Sequence, residues 1–496
     1  MDYNCLIYQV LHKMSPYPGE LGRMAWEREL IEEVISYTGS VMSTAGVAES
    51  QVFIAIDGVV PLAKMRQQRM RRFRSIVLAE EERRLGLREG QSWDTNAITP
   101  GTAFMAALAA GLRKAFPSAT ISDTEELGEG EHKVMRFMRG LPAKQNVAIY
   151  GLDGDLFVLG LLNNQMFCRD FSIYFLREEE DKAGRSTELV WLSLNTLKGA
   201  LLGEKDAAID GQTWLLEYAL AMTVLGNDFV PNGLSFRIKE DGHERLLEYL
   251  RRLHGGGDRL LVDGGLSNQG WGRLFEWIAR DEQKAVFIAV KRKLEAKPSK
   301  VGTTATEAAR ARLNDKPLGW ADSNDGLLFQ GGQLRKDWRA VYCRVALGAP
   351  AGLEAHYLED SAKQYLSAIQ WVFQYYCVDC MAVDYDWNYN YPIAPLFTAV
   401  SGLIRANGGA VFEDFTAGSS APPSSLEQLA LVLPKESYWL LPKCREREFM
   451  IHGSHYFPES WHYYSFGKRH FWECEAEIPI PTIRELRSLL ADNQLS

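Results

Sequence analysis

No stretch of this chain approaches the roughly 18 consecutive apolar residues that a membrane helix needs. The opening segment, MDYNCLIYQVLHKM, has no basic leader ahead of its apolar part. Neither a membrane span nor a secretory signal is legible. Cysteine is sparse: seven in 496 residues, scattered and odd in number, which argues against a disulfide framework and suits a reducing compartment. A single CxxC (Cys377, Cys380) and a single HxxH (His452, His455) occur. Neither has a second pair at zinc-like spacing, so packing is the default for both. There is no internal repeat and no excess of positive charge. The formal charge of −9 excludes a protein coated in positive potential. It leaves room for a local cationic pocket, because screening confines surface charges to about 10 Å.

What is present is ordinary globular composition, 46% hydrophobic and 24% charged, in a chain long enough for two large units or three. Text of helical period runs from Cys5 to about residue 47, broken by Pro16, Pro18 and Gly19. QVFIAI then reads as a buried strand ending at Asp57, and NVAIYG as another running into Asp153 and Asp155. Strands alternating with helices predict an α/β fold with a mixed, mostly parallel sheet flanked by helices. Ligands bind outside the carboxyl ends of such strands, so the acids are expected to converge. DTNAITPGTAFMAALAAGL reads as a loop entering a helix capped by Thr99 or Thr102. GEGEHK places Glu129 and Glu131 on a glycine-broken loop, and LLEYALAMTVLG is an apolar helix leading to Asn227 and Asp228. Apolar periodicity lapses over residues 298–332, a linker or surface insertion that separates a first unit, 1–297, from a second, mostly helical unit, 333–492.

Chemistry concentrates in IDGVVPLAKMRQQRMRRFR. On a helix, Lys64, Gln68, Arg71 and Arg72 fall at i, i+4, i+7 and i+8, on one face. Beside the carboxylate of Asp57, such a face reads as a phosphate address, since the Arg fork grips phosphate oxygens bidentately. A solvated basic helix is the plainer alternative. The acids tip the balance, because Asp153 and Asp155 sit in otherwise apolar text, where an unpaired ionised carboxylate is costly. Converging carboxylates either raise one another's pKa or bind hard cations such as Mg²⁺. Two such ions about 4 Å apart stabilise both oxygens of a phosphodiester displacement.

IDGVVPLAKMRQQRMRRFR, NAITPGTAFM, GEGEHKVMRFMR, YGLDGDLFVLGL and GNDFVP occur in an order that resembles the Xrn family of 5′-to-3′ exoribonucleases. The resemblance continues through WVFQYY, WNYNYPIAP and FGKRHFWECEAEIPIP, nearly the whole chain. It implies a PIN/FEN-like nuclease core with a second conserved unit packed on it. Asp57, Glu129, Glu131, Asp153, Asp155 and Asp228 are then catalytic, metal-binding acids, with Asp2 as the first of the set. Two Mg²⁺ ions are the implied cofactor, with Mn²⁺ as the alternative. Lys64, Gln68, Arg71 and Arg72 match the family's 5′-phosphate pocket. Tyr8 stands where the family has a base-stacking His, and Trp387, or else Tyr385, matches its stacking Trp. The implied activity is processive hydrolysis of 5′-monophosphorylated single-stranded RNA to mononucleotides, in RNA decay, by a cytoplasmic or nuclear monomer that binds no membrane. Two rivals remain: a structure-specific DNA flap nuclease, and a non-catalytic RNA 5′-end-binding relative. The family also has a longer leader, with a buried strand presenting its first aspartate. Here Met1 directly precedes Asp2, so Asp2 is expected to be the least firmly held acid, and the chain is expected to be a minimal catalytic core.

Overall fold

The computed structural model describes residues 1–87, 90–180, 187–205, 209–301, 304–319, 324–412, 420–442 and 453–491. Two short parallel strand pairs carry the acidic segments. β1 (Phe53–Ala55) pairs with β2 (Thr120–Ser122), Phe53 opposite Thr120. β3 (Asn146–Tyr150) pairs with the first half of β4 (Ser172–Glu180), Asn146 opposite Ser172. β4 then pairs antiparallel with β5 (Thr187–Ser193). Among the described residues, parallel ladders are confined to β1–β2 and β3–β4, and the three remaining pairs are two-residue antiparallel ladders.

The first three residues join these sheets. The Asp2 N–H donates to the Tyr150 carbonyl at 2.9 Å, the Tyr3 N–H to the Ala55 carbonyl at 3.0 Å, and the Ala55 N–H to the Met1 carbonyl at 3.0 Å. Asp2, expected to be loosely held, is therefore gripped by backbone on both sides and is 7% exposed. Tertiary pairing supplies what the position of the residue in the sequence suggested was missing.

Helices cover the strands. α1 (Asn4–Leu11) and α2 (Arg23–Ala45) are separated by the segment of Pro16, Pro18 and Gly19, and α2 ends at Gly46, whose φ of 65° is the left-handed conformation that glycine adopts without strain. α3 (Leu62–Arg84) begins after Pro61. α4 (Ala103–Ala115) is capped by Thr102, whose hydroxyl accepts from the Met105 N–H at 3.4 Å. α5 (Gly130–Arg139) begins one residue after Glu129, so Glu131 lies in its first turn rather than in a loop. A carboxylate there is favoured by the partial positive charge of a helix start. α6 (Asp155–Met166) follows β3 directly.

The interval 298–332 is not irregular throughout: it contains a helix, Ala305–Asn314, started by a Thr304–Glu307 capping box. Its alanine-rich text has helix propensity but little apolar periodicity, which is why the pattern lapses there. The later interval is mostly helical, with helices at Trp338–Ala346, Glu354–Phe373, Phe397–Ala406, Ser425–Val432 and Ile483–Ala491. Its Tyr365, Trp371 and Leu431 share one hydrophobic cluster with Leu156, Leu162 and Trp214 of the earlier interval. Burial of each such side chain stabilises by roughly 1.5–3 kcal/mol, so the two intervals are held together by a common core. Cys377 is buried in that cluster and Cys380 packs against it, both as free thiols, while His452 lies outside the described residues. No helix among the described residues is long and apolar enough to cross a membrane.

Candidate active site

The carboxyl ends of β1 and β3 and the start of α5 deliver the acids to one place. Asp2, Asp57, Glu129, Glu131, Asp153 and Asp228 line a single cavity of about 320 Å³, together with Tyr8, Lys64, Gln68, Arg71 and Arg72. Asp155 does not line that cavity. It stands half-buried at the first position of α6, where the Tyr376 hydroxyl donates to it.

Local backbone holds the acids in place. The Gly130 N–H donates to Asp57 Oδ1 at 2.7 Å, and Asn4 Nδ2 donates to Asp57 Oδ2 at 2.8 Å. A Cβ on Gly130 would lie 2.5 Å from Asp2 Oδ1 and 2.9 Å from the Ala55 carbonyl, so only glycine lets α5 approach this closely. Lys133 is buried. Its ammonium donates to the carbonyls of Ile56 at 2.7 Å and Asp123 at 2.6 Å, fastening the strand end that presents Asp57 to α5. Burial brings its pKa down to about 8.

Electrostatics show how crowded the negative charge is. Burial, then the neighbouring Asp57, pushes Asp2 up to about 8. Burial raises Glu129 to about 7, with Asp57 and Asp228 adding to the effect and Lys64 opposing it. Glu131 is held well above the carboxylate range by burial and by Glu129, and Asp155 is raised to about 6 by burial and by Asp228. Among the described residues, the only ion pairs to this group come from Lys64, to Glu129 and, at 2.6 Å, to Asp228. Burial works against the Lys64 charge, but those two carboxylates outweigh it and raise its pKa. One ammonium cannot neutralise so many acids. Protons or divalent cations must supply the rest, and an all-oxygen donor set fits a hard cation. The donor atoms of Glu129, Glu131 and His132 lie within 4.8 Å of one another.

The helix face read from the i, i+4, i+7, i+8 pattern does point at the acids. Lys64 is spent on two of them, whereas Arg72 is fixed at one end, donating to the Thr99 hydroxyl at 2.8 Å. Thr99 thus positions Arg72 rather than capping α4. Arg72 Nη1 and Gln68 Oε1 are buried with no hydrogen-bond partner among the described residues. Burial lowers the Arg72 pKa to about 10, which leaves it charged near neutrality. Arg71 is exposed at the rim.

The aromatic candidates separate. Tyr8 lines the cavity, but Trp387 does not. Trp387 stacks on Trp371 with ring centroids 5.0 Å apart, and Trp371 stacks on Tyr375 at 4.9 Å. Tyr385 is 1% exposed and its carbonyl accepts from the Leu62 N–H, so it is structural.

Sequence reasoning did not single out Asn4, Gln67, His132, Tyr375 or Tyr376. Gln67 Nε2 donates to Asp228 Oδ1 at 3.3 Å, and the Tyr375 hydroxyl to Glu129 Oε1 at 2.9 Å. A π-helical turn, Gln374–Val378, lets the consecutive Tyr375 and Tyr376 both reach the acids, a local widening of the helix that recurs at functional sites. His132 is buried against Tyr375, its Nε2 unpartnered, and burial lowers its pKa to about 3, so it is neutral. WVFQYY was visible as a segment, but nothing in it says that its hydroxyls meet carboxylates more than two hundred residues away.

Residues 1–179 match the family model described as XRN 5'-3' exonuclease N-terminus. The chain is 28% identical to human 5'-3' exoribonuclease 1 over 99% of its own length and 32% of that relative's. It is 33% identical to 5'-3' exoribonuclease 2 of Saccharomyces cerevisiae over 50% of its length and 30% of the relative's. The corresponding protein of Schizosaccharomyces pombe is 30% identical over 54% and 33%. The chain thus spans about a third of the length of the curated relatives it matches.

Proposed function

We infer, from the premise that this chain belongs to the Xrn family of 5′-to-3′ exoribonucleases, that it hydrolyses single-stranded RNA from a 5′-monophosphate end and releases nucleoside 5′-monophosphates. One observation carries the inference: six carboxylates and the Lys64, Gln68, Arg71 and Arg72 set share a single cavity of about 320 Å³. This supports a reading in which phosphate capture and phosphodiester cleavage share one space.

In this reading Arg72, already oriented by Thr99, turns its free Nη1 to the terminal phosphate, and Gln68 and Arg71 complete the grip. Tyr8 offers its ring to the first base, a contact worth about 1–3 kcal/mol and indifferent to sequence. Asp2, Asp57, Glu129, Glu131, Asp153, Asp155 and Asp228 would hold two Mg²⁺ ions, with Mn²⁺ as a substitute. Those ions supply Lewis-acid activation of water and charge stabilisation at the scissile phosphate. Lys64 holds Glu129 and Asp228 in place by pairing with both. Residues 1–297 would house this chemistry, and residues 333–492 would restrict the entrance to single strands.

Incubation with matched RNAs bearing 5′ monophosphate, triphosphate or hydroxyl ends, with and without Mg²⁺, tests the reading. Mononucleotide release from the monophosphate RNA alone, dependent on the ion, is the expected result. Equal rates on all three ends, cleavage of flapped DNA in preference to RNA, or binding without hydrolysis would overturn it.

A further inference from the structure

A second cavity, of about 240 Å³, lies on the neighbouring flank of α3 and shares Gln67, Arg71 and Asp228 with the acidic one. The two spaces meet at these side chains. Arg66 and Arg74, two helical turns apart, line this second space with Arg71. Arg74 is partly engaged, donating to the Cys474 carbonyl at 3.0 Å. Arg66 makes no hydrogen bond or ion pair among the described residues, although Glu475 and Tyr389 lie close enough to influence its charge. Tyr391 also lines this space, pinned by its hydroxyl, which donates to Asp360 at 2.6 Å. A half-buried guanidinium left without a partner, beside an aromatic ring held rigid, suits a phosphate joined to a base.

Position narrows the choice of ligand. The pocket of Lys64, Gln68, Arg71 and Arg72 marks where the 5′ terminus of the RNA stops, so uncut strand does not extend past Arg71. A nucleotide reaches that flank only after its bond to the chain is broken. The acids Asp228, Glu473 and Glu475 in the same lining would repel a continuous phosphate backbone, and they keep the grip on a single nucleotide loose.

We propose that this second cavity receives the released nucleoside 5′-monophosphate, with Arg66 on its phosphate and Tyr391 against its base, so that product leaves past Arg71 without displacing the incoming strand. The proposal rests on the exoribonuclease reading. It makes product inhibition a property of a site separate from the 5′-phosphate pocket.

Steady-state hydrolysis of 5′-monophosphorylated RNA by the full chain, titrated with AMP or UMP, tests it. With unmodified protein, inhibition is expected to be mixed, because nucleotide and RNA bind together; purely competitive inhibition would overturn the proposal. Arg66→Gln should weaken inhibition about tenfold while leaving the single-turnover rate of the first cleavage unchanged, and Arg66→Lys should restore most of it. An unchanged inhibition constant, or a first cleavage slowed as much as inhibition is weakened, would also overturn it. AMP binding by calorimetry separates the two levels of inference. A chain that binds AMP through Arg66 but never cuts RNA sinks the exoribonuclease reading alone. Hydrolysis with inhibition indifferent to Arg66 sinks only the second site.

Discussion

α3 carries two arginines three residues apart, one buried and one half-buried. Arg69 faces the later helical interval, and both its terminal nitrogens are taken up by structure: they donate to the carbonyls of Leu431, at 2.6 Å, and Tyr456, and the guanidinium lies over the rings of Phe73 and Phe457. Arg72 faces the acids, fixed at one nitrogen and unpartnered at the other. Both belong to one basic run, and burial lowers the pKa of each to about 10. Charge density in the sequence therefore does not identify a ligand site. Arg69 Nε is also buried without a partner among the described residues, but Arg72 lines the acidic cavity and Arg69 does not, so it is the place of the unused donor that identifies the site.

The sharpest way to break this contrast is to disable the acids while sparing the cationic face. Asp153→Ala should cut hydrolysis by roughly three orders of magnitude or more, several kcal/mol of lost transition-state stabilisation, with RNA affinity in a filter-binding assay largely kept. Equal loss of affinity would mean that the acidic and cationic walls do not have separate tasks. Next in size, Arg69→Ala should destabilise the fold by about 3 kcal/mol in denaturant titration, since it strands two buried carbonyls. Arg71→Ala should leave the unfolding midpoint in place and instead erode the preference for monophosphate over hydroxyl ends. An Arg69 variant that loses only end preference would invert the comparison.

The same division applies to the aromatics. Tyr8→Ala should weaken RNA binding by about 1–3 kcal/mol. Trp387→Ala should act on stability instead, by about 3 kcal/mol, because its ring belongs to the internal stack with Trp371 and Tyr375. Affinity lost in the Trp387 variant at unchanged stability would return that residue to the RNA path.

The smallest effect expected is on melting temperature. Asp155, Glu129 and Asp2 have folded pKa values raised to about 6, 7 and 8, above those of an unfolded chain. The folded state thus holds protons that the unfolded state has released, so without metal these groups lower stability as pH rises through that window. A divalent cation competes with those protons. Mg²⁺ should therefore raise the melting temperature more at pH 8 than at pH 6, and EDTA should remove the difference. A shift independent of pH would argue against carboxylates as the ligands.

Much of the site was legible because it is built from local rules. A strand ending in an acid, as in QVFIAI before Asp57 or NVAIYG before Asp153, puts that acid at the carboxyl end of a sheet. Helical spacing alone put Lys64, Gln68, Arg71 and Arg72 on one face. What the sequence hides are partners distant in the chain. The ring on which Trp387 stacks, Trp371, belongs to the helix Glu354–Phe373, and Trp371 in turn stacks on Tyr375 of the π-helical turn after it. Asp2 looked frayed because the strands that clamp it begin fifty residues later. Glu131 looked like a loop residue because Gly128 and Gly130 precede it, although Gly130 is there for close approach and not to break α5.

By itself the sequence determined which residues carry charge, which can share a helix face, and where strands stop, since these follow from periodicity and side-chain chemistry within a few turns. Only the tertiary structure decided which charges remain unspent: Arg69 meets Leu431 and Tyr456, Tyr375 meets Glu129, and Lys64 meets Asp228. The reason is desolvation. A buried polar group must find a partner or hold a ligand, and partners separated by hundreds of residues are brought together by the fold rather than by sequence neighbourhood.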